Sequence, residues 1–113
     1  MRSIFYLLDV APYSSEKAFG LLNAAQVSMK MNAVVGLYAD GVYLALDGQN
    51  SKALGVPNLS DIVRAFPEIK VLAHEPSLIE RGLFSQSLIE SVELVDEERF
   101  LEEIMESNSV ILL

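Results

Sequence analysis

The chain is 113 residues long and 51% apolar, with 16 acidic and 8 basic residues and a net charge of −8. This length is that of one domain, and the acidic balance argues against nucleic acid and anionic membrane surfaces, both of which are bound through a basic footprint. There is no cysteine, which excludes disulfides, thiolate metal sites and covalent sulfur chemistry on this chain.

Ile4-Phe5-Tyr6-Leu7-Leu8 is a continuous apolar run, the pattern of a central strand buried on both faces of a parallel sheet. It is broken by Asp9 and too short for a secretory signal. No stretch reaches the ~18 apolar residues of a membrane span, so a cytoplasmic protein is expected. Pro12 stops the strand, and Ser14 or Ser15 can cap a helix whose Ala18, Leu21, Leu22, Ala25 and Met29 share one face. Ala33 to Ala39 reads as a second strand. Asp47 to Ser51, with Gly55 and Pro57, reads as a loop. Asn58 or Ser60 can cap a short helix carrying Leu59, Ile62, Val63 and Phe66 on one side, and Pro67 ends it.

Ile69 to Ala73 forms a third predicted strand. Pro76 suits the first turn of the next helix and Gly82 its end. Val92 to Val95 is a fourth strand, followed by Asp96 as a cap. In the last helix, Phe100, Leu101, Ile104 and Met105 are expected to face inward, with Glu97, Glu98, Glu102, Glu103 and Glu106 toward water. Val110 to Leu113 is a fifth apolar strand, expected inside the sheet because so apolar a terminus is a poor loose tail. Strands alternate with helices throughout. The expected fold is a single α/β domain, an open parallel sheet of about five strands with helices on both faces. A mean hydropathy of +0.33 is high for a small monomer and suggests apolar surface hidden in an oligomer.

One stretch reads two ways. Asp40-Gly41 lies between the apolar runs AVVGLYA and VYLAL. By turn chemistry alone this is a β-hairpin. The same letters could instead close a parallel strand and open a short helix at the sheet edge where ligands bind.

Motifs for nucleotide cradles and the hydrolase elbow are absent. The single histidine, His74, is followed by Glu75. One imidazole cannot build a His-rich metal site, so no metal or other cofactor is expected. Asp9, Asp40, His74 and Glu75 fall at the ends of the first three predicted strands. That carboxyl edge is where open parallel sheets bind ligands. His74 reads either as a polar residue closing its strand or as a hydrogen-bonding group of a site. Tyr6, Tyr13, Tyr38 and Tyr43 lie near these junctions and read as core or interface filler.

The segments YADGVYLALDGQN, SLIERGL and VELVDEERFLEEIMESNSVILL, in that order and spacing, resemble the DsrE/DsrF/DsrH-like (TusBCD) sulfur-relay family, closest to its DsrF/TusC branch. The resemblance covers nearly the whole chain. It implies a parallel α/β sheet, with Asp40-Gly41 opening a short helix from Val42 to Leu46, Asp40 as its cap and Gly48 as its close. It also implies assembly into trimers or hexamers, with itself or with DsrE/DsrH-like paralogues. In the family's DsrE/TusD branch the sulfur carrier is a cysteine at the end of the third strand. Counted back from Arg81-Gly82-Leu83, that place falls at or beside His74. Without a thiol no persulfide can be carried. The expectation is therefore a non-catalytic DsrF/TusC-like subunit supporting a cysteine-bearing partner, with Asp9, Asp40, Gly41, His74 and Glu75 lining the pocket. The alternatives are a small-molecule binding module at the same edge and an enzyme using His74 as general base.

Overall fold

The computed structural model describes residues 3–10, 17–27, 32–46, 59–66, 68–83 and 88–112. The elements run β1 (Ile4–Leu8), α1 (Lys17–Val27), β2 (Ala33–Leu37), a 3-10 helix (Ala39–Ala45), α2 (Leu59–Ala65), β3 (Lys70–His74), α3 (Glu75–Glu80), β4 (Val92–Val95), α4 (Glu97–Glu106) and β5 (Ser109–Leu112). The caps expected at Ser14, Ser15 and Asn58, the position Met29, the loop from Asp47 to Pro57 with its Gly48, and Pro67 lie outside the described residues. So do the side chains of Ala18, Leu59 and Ser60.

All five strands are parallel, in the order β4-β3-β2-β1-β5. The C-terminal strand is inserted beside β1, with Phe5 opposite Val110 and Leu7 opposite Leu112. Successive connections from β1 to β4 step one way across the sheet, and the last steps back to the far side of β1. Right-handed crossovers therefore put α1, α2 and α3 on one face and α4 on the other. The expected fold class is the observed one.

The two faces are unequal. The larger core gathers Leu8, Leu21, Leu22, Val35, Leu37 and Leu78 beneath α1, α3 and the 3-10 helix. The smaller core is Phe5, Val34, Leu72, Val95 and Phe100 beneath α4. Phe5 and Phe100 meet edge to face, ring centres 5.7 Å apart, a pairing worth about 1 kcal/mol beyond the area it buries. Gly36 makes room for them: a Cβ there would lie 2.2 Å from the Phe5 ring.

Leu37 to Leu46 is not a hairpin. The strand ends at Leu37 and the chain winds into the 3-10 helix, as the resemblance implied. Several details differ from expectation: Glu103, expected toward water, is drawn in by Lys70 and Arg99 with its side chain 15% exposed, and the 3-10 helix spans Ala39–Ala45 and not Val42 to Leu46. Asp40 does not cap this helix: Tyr38 is the N-cap residue, no side chain caps the turn, and Asp40 sits within the first turn. Leu101 and Met105 do not face inward: they are 48% and 83% exposed. α4 packs mainly over the β3 side of the sheet, which leaves these two residues on its flank toward β1 and β5. Asp96 does cap α4, accepting the Arg99 N–H at 2.8 Å. Gly82 does end α3, with φ +66°. Among the described residues, no helix is long and apolar enough to cross a membrane.

Candidate functional site

The carboxyl ends of β1, β2 and β3 converge beneath the start of the 3-10 helix. The Tyr38 N–H donates to the Leu8 carbonyl at 3.0 Å, and the Gly41 N–H to the Tyr38 carbonyl at 2.9 Å. Gly41 is pressed so close to β1 that a Cβ would lie 2.0 Å from the Leu8 oxygen. Only glycine permits that approach. Between them Ala39 takes a left-handed conformation, φ 51°, a strained state for a residue with a side chain. Its N–H is held by Ser77 Oγ at 3.0 Å.

Ser77 stands in the first turn of α3, three residues after His74, and this spacing brings its hydroxyl to the imidazole. His74 Nδ1 lies 2.7 Å from Ser77 Oγ, and His74 Nε2 lies 2.8 Å from Glu97 Oε2. The hydrogen-bond network assigns the tautomer of the neutral ring. A carboxylate only accepts, so Nε2 carries a hydrogen and donates to Glu97; in the neutral ring Nδ1 then accepts from Ser77 Oγ, which itself accepts from the Ala39 N–H. His74 is 3% exposed and Ser77 4%. The Tyr38 ring lies 4.9 Å from the His74 ring, and the Phe100 ring 5.1 Å. Arg81, following α3, completes the frame. Its Nε donates to Asp40 Oδ1 at 2.9 Å and its Nη1 to the Ser77 carbonyl at 3.1 Å.

Serine, imidazole and carboxylate in a row suggest nucleophilic catalysis, but the geometry does not serve it. Ser77 is 4% exposed, and its oxygen is already occupied by the Ala39 N–H. What the array does is join β3, α3, α4 and the 3-10 helix through two side chains, His74 and Ser77. Beyond the Tyr38 ring is a pocket of about 190 Å3, lined by Leu7, Tyr38, Glu97, Phe100, Leu101 and Ile104. Its walls are almost wholly apolar. Among the described residues, no three of His, Asp or Glu are placed to hold a metal ion.

Of the residues singled out in the sequence, Gly41 and His74 lie at the heart of this cluster, and Asp40 joins it through Arg81. Glu75 opens α3 half-buried, and Asp9 is exposed beyond β1. Among the described residues, neither has a hydrogen bond or ion pair to the cluster. Sequence reasoning missed Ser77, Arg81 and Glu97, and took Tyr38 for filler. Two signals were present: a serine three residues past His74 at a helix start, and an acid just beyond the strand whose Val95 pairs with His74.

A parallel α/β sheet of this order, with a polar cluster at its carboxyl edge, defines a class of small single-domain proteins. The chain belongs to the DsrE/DsrF-like family, whose model matches residues 2–113. It is 31% identical over 112 residues to the uncharacterised protein MK0008 of Methanopyrus kandleri, covering 96% of this chain and 91% of that one. The crystal structure of the ychN protein from E. coli superposes with a TM-score of 0.88 over 100% of both chains at 20% identity, which shows the same fold.

Proposed function

We propose that the chain is a non-catalytic, DsrF/TusC-like subunit that packs against a cysteine-bearing partner and shapes the place where the partner's thiol works. A link to sulfur relay and assembly into oligomers belong to the family as a whole. One observation carries the finer reading. The place where the DsrE/TusD branch carries its cysteine falls at or beside His74, which is buried with both ring nitrogens committed, in a chain with no thiol anywhere. A persulfide needs a thiolate to receive it, so this edge can position or shield sulfur but not carry it.

The small-molecule module is the weaker reading. It asks Asp9, Asp40, His74 and Glu75 to converge, whereas Asp40 is held by Arg81 and, among the described residues, nothing ties Asp9 or Glu75 to His74. Co-expression with a cysteine-bearing relative from the same host tests the proposal. The expected result is a stable complex in which labelled persulfide sulfur appears on the partner and never on this chain. A chain that stays monomeric beside every such relative, or that accepts the label, would overturn it.

A further inference from the structure

We infer that the open flank of α4 is the docking surface for a different protein chain of basic character, and that an arginine or lysine of that partner enters the pocket beside Glu97.

The two flanks of α4 differ in kind. Toward β4 the helix is closed by ion pairs: Lys70 Nζ to Glu103 at 2.7 Å, Arg99 to Glu103 at 3.0 Å and Arg99 to Glu93 at 3.7 Å. Toward β5, among the described residues, it is open and apolar. Leu101 and Met105 stand 48% and 83% exposed on the helix, and Val110 and Leu112 stand 43% and 64% exposed on β5. The register of β5 on β1 puts Val110 and Leu112 on the face of Phe5 and Leu7, so helix and sheet edge together form one apolar trough. An edge strand this apolar invites pairing and aggregation unless something covers it.

Charge says what covers it. Glu98 and Glu102 lie beside Met105 on the helix surface, and Glu97 lines the pocket with its side chain 60% exposed. A second copy laid on this face would set these carboxylates against their own kind. Nor do the described residues offer a basic patch to meet them: Arg64, Lys70, Arg81 and Arg99 are each already paired with a carboxylate. With a net charge of −8, the chain is complemented by an apolar stripe rimmed with Lys or Arg. The pocket suits one such side chain. Leu7, Leu101 and Ile104 would cover its methylene stem between the Tyr38 and Phe100 rings that also line the pocket, and Glu97 would meet the cation.

This goes beyond the sulfur-relay reading and does not need it, because it concerns the partner's surface and not its thiol. The probe is a synthetic amphipathic helical peptide of Leu and Arg, beside a counterpart of the same pattern in Leu and Glu. The expected result is saturable one-to-one binding of the Leu/Arg peptide alone. Glu97→Gln, or Met105→Ser with Leu112→Ser, should each weaken it about tenfold, the scale of one hot-spot contact. Asp61→Asn and Glu68→Gln, exposed elsewhere, should leave it unchanged. Met105 and Leu112 are solvent-exposed, and in Glu97→Gln the amide oxygen can still accept from His74 Nε2, so the fold is retained, which an unchanged urea midpoint checks. Binding of both peptides alike, or equal weakening by the Asp61 and Glu68 variants, would overturn the inference. So would self-association of the chain, seen by sedimentation, that Met105→Ser with Leu112→Ser abolishes. Self-association that survives those changes, or none at all, supports it. Sulfur transfer to this chain would sink the subunit proposal and leave the docking result standing.

Discussion

His74 does structural work that its chemistry makes costly to replace. With the ring 3% exposed and hydrogen-bonded on both sides, His74→Ala opens a cavity and leaves the Ser77 hydroxyl without its imidazole partner. The expected cost is about 2–4 kcal/mol, read as a lower urea midpoint at unchanged slope. His74→Asn, which can keep one of the two bonds, should lose less. The glycines divide in a similar way. At Gly41 a methyl group would meet the Leu8 carbonyl at 2.0 Å, and backbone cannot retreat without breaking the Tyr38–Leu8 bond. At Gly82 nothing lies within 4 Å of the added carbon, and only its φ of +66° resists. Gly41→Ala should therefore cost about 2–4 kcal/mol, the range of severe overpacking, and Gly82→Ala about 1 kcal/mol. Equal effects in thermal unfolding would show that the 3-10 helix can lift from β1.

At the scale of elements, α4 is the most exposed to conditions, because it alone among the described helices covers its face. Burial raises the Glu103 carboxyl, but hydrogen bonds from Lys70 and Arg99, with their charges, outweigh that and hold its pKa below the ordinary carboxylate value. A carboxyl depressed in the folded state stabilises above its unfolded pKa, and that contribution is lost as pH falls through the folded one. Glu103→Gln should thus cost up to about 1 kcal/mol at neutral pH and progressively less below about pH 4.3. Urea titrations of both proteins across that range read it directly, and a parallel offset at every pH would refute the ion-pair account. Asp96→Ala, which removes the cap at the other end of the same story, should cost about 1 kcal/mol at neutral pH.

The same elements show what a sequence carries and what it does not. The five strands and four α-helices were legible because their apolar runs and caps are local signals, and Asp96 caps α4 as its position implied. The segment from Leu37 to Leu46 misleads by turn chemistry, because the contacts that choose the 3-10 helix are tertiary. They are the Tyr38 bond to Leu8 and the seat of Gly41 on β1. Glu97 read as a solvated acid because helical phase cannot say which neighbour a helix will meet. Its partner His74 is 23 residues away, brought close only by the pairing of β3 with β4.

For the whole molecule, the strand order sets where the fold should open first. β1, β2 and β3 are interior strands, with Phe5, Val35, Leu37, Leu72 and Ala73 wholly buried. β5 is an edge strand with three of its four residues exposed, and α4 buries only Phe100 fully. The two are consecutive in the chain, joined through Ser107 and Asn108, and the Asn108 N–H reaches back to the Ser3 carbonyl at 3.1 Å. Opening at that hinge would free α4 and β5 together, while the larger core beneath α1 and α3 stays closed. Native-state hydrogen exchange should then resolve two units. Amides of α4 and β5 should share one lower opening free energy and a denaturant dependence smaller than that of global unfolding. Those of β1, β2 and β3 should exchange only with the whole. The partner inferred above adds a condition. Because it would clamp α4 to the edge of β5, a saturating Leu/Arg peptide should raise the opening free energy of that unit and leave the central strands unchanged. If α4 and β5 instead exchange with the central strands in the free chain, the molecule is a single cooperative unit, and the smaller core is stronger than its exposure implies.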